Sequence, residues 1–115
     1  MTWIKNQEPV LEASQTWERG GFIKVDAEFV AGTWVLLYSG DTPSRRGVAT
    51  SNDSVTFTKL DTNPVLDTTS VSRGGVFDTE LVYANGRWHV LVENGGGRSD
   101  RAISLLVYDG PLLPG

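Results

Sequence analysis

The chain has 115 residues, with 14 acidic and 10 basic side chains, a formal net charge of −4 and no cysteine. That balance argues against nucleic acid as a partner, because a phosphate-binding surface concentrates Lys and Arg, and the absence of cysteine removes disulfide and thiolate chemistry. No apolar run approaches the roughly 20 residues of a membrane span, so no membrane partner is expected.

In chain order, the opening residues lack a basic stretch followed by an apolar one. No signal peptide is expected, and the chain reads as cytoplasmic. Residues 2–5, TWIK, reappear as TFTK at 56–59, and NQEPVL at 6–11 reappears as DTNPVL at 61–66. Residues 20–40, GGFIKVDAEFVAGTWVLLYSG, are echoed by 74–96, GGVFDTELVYANGRWHVLVENGG. Several matches in the same order mark an internal repeat. Matching like with like pairs Asp26 with Asp78, Glu28 with Glu80 and Trp34 with Trp88, which implies a longer turn in the second repeat.

Local patterns favour strands. Residues 24–30 alternate, as a half-buried strand does, and 33–39 are apolar at nearly every position, as in a strand buried on both faces. Ala31-Gly32 is a turn. Strands follow at 46–50 and 54–59, and the Arg45-Arg46 pair reads as part of a surface turn. In the second repeat, strands at 76–83 and 87–93 flank Asn85-Gly86, a strong hairpin signal, and another strand covers 101–108. No window holds helical spacing, and 5 prolines oppose helix.

These elements predict an all-β fold of two β-propeller blades, with residues 24–66 as the first blade and 76–108 as the second. Residues 1–11 then supply an outer strand to a neighbouring blade, and 109–115 form a tail. Two blades alone would leave apolar faces and a sheet edge open. Identical subunits joined head to tail would cover them, and three copies would give a six-bladed ring. A β-sandwich of about seven strands is the alternative.

The run Gly47-Val48-Ala49-Thr50-Ser51-Asn52-Asp53, followed by Phe57, Lys59 and Asn63-Pro64-Val65-Leu66, resembles blades of the five-bladed propeller glycoside hydrolases that act on arabinans, xylans and fructans. The resemblance implies a carbohydrate ligand at the propeller channel. It also implies that an Asp near the start of an innermost strand serves as base or nucleophile, a place that Asp26 and Asp78 match. The family's general-acid Glu has no clear counterpart, and Glu28 and Glu80 are the nearest substitutes. A non-catalytic, lectin-like or structural propeller module is the competing expectation.

Period two puts Asp26 with Glu28, and Asp78 with Glu80, on one strand face about 6.5–7 Å apart, a spacing compatible with paired-carboxylate glycosidase chemistry. The same acids could instead bind turn amides or bases and hold the blades closed. No cofactor is expected, although a calcium ion could relieve repulsion among them. Trp17, a loop aromatic without a match in the second repeat, is a candidate for sugar stacking. Arg19 and Arg73 each precede a Gly-Gly pair and could meet a polar ligand. His89, the only histidine, and Asn94 complete the candidate binding residues; with no second His, no transition-metal site is expected.

Overall fold

The computed structural model describes residues 2–18, 21–22, 24–40, 45–67, 75–95 and 102–108. After a single 3-10 turn, Thr16–Glu18, come seven strands: β1 (Val25–Val30), β2 (Thr33–Ser39), β3 (Arg46–Ser51), β4 (Thr58–Lys59), β5 (Gly75–Ala84), β6 (Arg87–Gly95) and β7 (Ala102–Tyr108). They form two antiparallel sheets in simple sequence order, β1-β2-β3-β4 and β5-β6-β7. Among the described residues there is no α-helix. The tail expected at 109–115 lies outside the described residues.

Both leading hairpins use two-residue turns in which each residue has positive φ: Ala31 at 51° and Gly32 at 81°, Asn85 at 54° and Gly86 at 75°. Turns of this hand match the twist of the strands they join. The identical turns correct the repeat alignment. Phe29 faces Trp34 across the first hairpin, and Tyr83 faces Trp88 across the second. The same register places Asp26 opposite Leu37 and Glu80 opposite Leu91. Asp26 is therefore the structural equivalent of Glu80, and Glu28 of Val82. Matching by residue type was misled by a D-x-E run that recurs two places out of step.

The sheets pack face to face. Val35, Leu37 and Val48 of the first meet Leu81 and Trp88 of the second. The sheets approach most closely at β1 and β5, so they converge at the first strand of each and splay apart toward β4 and β7. That is how blades radiate from a propeller axis.

The other face of the first sheet carries a separate cluster. Trp17 stacks on Tyr38 with ring centroids 5.6 Å apart, and Phe22 meets the same ring edge-on at 5.1 Å. Gly47 lies beneath: a Cβ there would sit 2.7 Å from Trp17 Cη2 and 2.8 Å from Tyr38 Cζ. The close approach of two rings to the backbone is why that strand position holds glycine.

Two expectations are corrected. The strand anticipated over 54–59 is only Thr58–Lys59, because Asp53 Oδ1 accepts from the Val55 and Thr56 amides at 2.9 and 2.8 Å and holds 52–56 in bends. Arg46 is not in a surface turn. It opens β3 and is 0 % exposed, whereas Arg45 beside it is exposed.

Candidate functional site

The inner-strand junction is built around Arg46. Its side chain crosses from the first sheet to the second, where Nη2 donates to the Phe77 carbonyl and Nε donates to Thr79 Oγ1 at 3.3 Å. The Thr79 hydroxyl in turn donates to Asp26 Oδ2 at 2.8 Å. A relay Arg46–Thr79–Asp26 therefore spans the two blades.

A bulge makes this geometry possible. On β5, three steps from Val76 to Thr79 oppose two steps on β6, from Asn94 to Val92. The extra residue breaks the regular ladder and lets a carbonyl and side chains be re-aimed. Within the bulge, Asp78 Oδ1 pairs with Lys24 Nζ at 2.7 Å, again between the blades. Burial pulls the Arg46 guanidinium pKa down, while Asp26 and Asp78 push it back up. An arginine so surrounded stays charged.

Of the four candidate acids, Asp26 and Glu28 face the second sheet. Glu28 Oε2 accepts from the Tyr83 amide at 3.2 Å. Glu80 lies on the opposite face of β5 from Thr79, exposed and directed away from the first sheet. Asp26, Thr79, Lys24 and Asp78 thus come together at one end of the junction, and Glu80 does not join them. Positive charge beside Asp26 and Asp78 comes from Arg46 and Lys24. Among the described residues, no three acidic or histidine side chains converge as they would around a metal ion.

The structure describes three of the five candidate binding residues, Trp17, His89 and Asn94. Trp17 is 7 % exposed, with its ring packed on Tyr38 and its Nε1 donating to Gln15 Oε1 at 2.6 Å, so it has no face left for a sugar. Asn94 is 0 % exposed, and its Oδ1 accepts from Ser104 Oγ at 2.8 Å inside the second sheet. His89 sits opposite Val82, four residues along β5 from Asp78 and so about 13 Å away at roughly 3.3 Å per residue. It does not join Asp26 and Asp78. Arg19 and Arg73 lie outside the described residues.

Sequence reasoning missed Arg46, Thr79 and Lys24. It also missed a second, closed network around Glu18, which is 0 % exposed. Glu18 Oε1 accepts from the Ser14 and Gln15 amides at 2.9 and 3.1 Å and from Lys59 Nζ at 2.6 Å; Oε2 accepts from the Tyr38 hydroxyl at 2.6 Å. Burial alone would raise the Glu18 pKa. Lys59, Tyr38 and the two amides outweigh it and hold the group at about 2. Burial and the Glu18 carboxylate push the Tyr38 phenol well above its ordinary range. With its donors satisfied by neighbouring elements, this carboxylate braces the 3-10 turn against β2 and β4.

Comparison with known proteins bears on the fold. No family model and no curated protein matches the sequence. Among solved structures, the chain is similar to the RS223 β-xylosidase, with a TM-score of 0.63 and 16% identity over 78% of this chain and 33% of that one. It is likewise similar to a thermostable family-43 glycoside hydrolase, with a TM-score of 0.63 and 15% identity over 86% of this chain and 34% of that one. The chain spans about a third of the length of each. At such identity the likeness is one of architecture: the two sheets are adjacent blades of the β-propeller type found in family-43 glycoside hydrolases.

Proposed function

We propose that the chain supplies two blades of a carbohydrate-active β-propeller in which an oligosaccharide meets the inner-strand carboxylates and Asp26 is the principal working group. One observation carries this: Asp26 stands on the innermost strand with one oxygen held by Thr79 at 2.8 Å and a buried arginine behind that hydroxyl. A carboxylate so fixed can aim a water at an anomeric carbon, with Glu28, two residues along the same strand face, supplying the proton for the leaving oxygen. The blade likeness to a β-xylosidase makes a glycoside the natural substrate class. In the assembled form, identical copies close a ring head to tail, and three copies give six blades.

A second reading, a non-catalytic sugar-binding or structural propeller module, is favoured by a different observation. Asp26, Glu28 and Asp78 are each engaged by a partner on the other blade, as acids that close blades would be.

Turnover on a panel of arabino-, xylo- and fructo-oligosaccharides separates the two. In the hydrolytic reading, Asp26→Asn lowers turnover by about 10²–10⁴-fold, the usual worth of a positioned acid or base, while circular dichroism is unchanged. Wild-type protein that binds a sugar in calorimetry but never cleaves it, and whose Asp26→Asn variant binds equally well, establishes the second reading and ends the first.

A further inference from the structure

The two sheets splay apart toward β4 and β7, and an apolar cleft of about 470 Å³ opens there, lined among others by Leu60, Trp88, Leu106 and Tyr108. No strand pairs with the outer edge of β7 among the described residues. Elsewhere in the same chain, residues 2–5 run without strand pairing, with Trp3 85 % and Ile4 96 % exposed. We propose that this cleft and the β7 edge are the seat of residues Thr2–Lys5 of a second copy, with Trp3 as the side chain that fills the cleft. This rests on the ring reading above and specifies its joint.

The repeat supplies the geometry. In the first blade, Phe57 packs against the Trp17–Tyr38–Ala49 cluster, and β4 pairs with β3 so that Thr58 faces Thr50 and Lys59 faces Ala49. The β2–β3 and β6–β7 registers make Ala49 equivalent to Leu106 and Thr50 equivalent to Val107. Laying TWIK on TFTK then sets Lys5 opposite Leu106, Ile4 opposite Val107 and Trp3 opposite Tyr108. Trp3 falls on the face that looks into the cleft, beside an aromatic cross-strand neighbour. Ile4 falls on the outer face with Val107, which is 46 % exposed.

The remaining surfaces agree. Where Glu28 meets Tyr83 between the blades, the repeat-equivalent contact between copies brings Val82, 40 % exposed, to Phe29, 54 % exposed. Burying one Trp covers about 150–250 Å². Adding the strand backbone, Ile4 and these paired faces brings the contact toward the roughly 800 Å² per partner of stable interfaces. Strand addition to an open edge is a recognised mode of such docking.

The chain has no cysteine, so engineered pairs report without background. An Ile4→Cys/Val107→Cys chain, mildly oxidised, is expected to give disulfide-linked multimers, since directly opposed strand residues meet the distance a disulfide needs. Ile4→Cys/Leu106→Cys, one step off and on the opposite face, is expected to give few. Trp3→Ala is expected to reduce the native mass from a multiple of 12.5 kDa to 12.5 kDa with unchanged circular dichroism, and Trp3→Phe to keep the multimer. A multimer that resists Trp3→Ala and does not cross-link overturns this seating and leaves the ring. A disulfide formed within one chain overturns the second copy as occupant. A wild-type chain of 12.5 kDa overturns both ring and seating.

Discussion

Trp34 and Trp88 hold the same place in two copies of one hairpin, yet their surroundings differ. Each stacks against the aromatic facing it, Phe29 at 4.9 Å and Tyr83 at 4.8 Å. Trp88 is 3 % exposed because the first sheet covers it, whereas Phe29 beside Trp34 is 54 % exposed. The local sequence is nearly the same, so the neighbour decides burial. In repeat architectures each unit is stabilised chiefly by the interface with the next. The first blade carries a brace on its other face, the Trp17–Glu18 turn packed on Tyr38.

That contrast can be broken at the brace. Trp17→Ala removes a ring stacked on Tyr38 and lying over Gly47, and the expected loss is about 3–5 kcal/mol, the range for deleting a large buried aromatic. Hydrogen exchange locates the damage. Protection should fall first in β2 and β3 and persist in β6. Uniform loss in both sheets would mean that the brace supports the pair of blades as one unit.

Glu18 gives a smaller effect with a pH signature. Its carboxylate is held at about 2 in the fold against an ordinary value of 4.5. A lowered pKa contributes stability above the unfolded value, and that stability drains away as pH falls through the folded one. The window therefore runs from about pH 4.5 down to about pH 2. The contribution is roughly 2–3 kcal/mol once solvent screening is allowed for. In acid titrations of denaturant midpoints, Glu18→Gln should start lower at neutral pH, lack this slope, and meet the wild type near pH 2.

The strands and hairpins were legible because apolar alternation and Asn85-Gly86 are local signals. The pairing of acids was not. Asp26 and Asp78 look equivalent in one dimension, but register across the hairpin is fixed by the turn, and two equal turns put Glu80 in the place of Asp26. Arg46 was hidden for a similar reason. Next to Arg45 it reads as a charge pair, while its burial depends on a bulge 31 residues away that offers the Phe77 carbonyl. Trp17 was singled out because the second repeat has no aromatic there, and that lack of a match marked a brace rather than a ligand contact.

The junction itself provides the finest test of the comparison. Arg46→Met keeps the apolar stem and removes the side-chain donors to the Phe77 carbonyl and to Thr79 Oγ1, while Thr79 keeps its bond to Asp26. The expected loss is about 1–3 kcal/mol, the cost of buried acceptors left unsatisfied. Its location matters more than its size. The brace on the far face of the first blade is untouched, so β2 and β3 should keep their exchange protection while β5, held to the first blade partly through this arginine, loses some. Asp26 would lose the support behind Thr79 as well, so a sugar that meets Asp26 should bind more weakly to the variant. If β5 stays protected and sugar affinity is unchanged, the apolar contacts of Leu81 and Trp88 hold the blades together without Arg46, and the relay to Asp26 has no part in ligand binding.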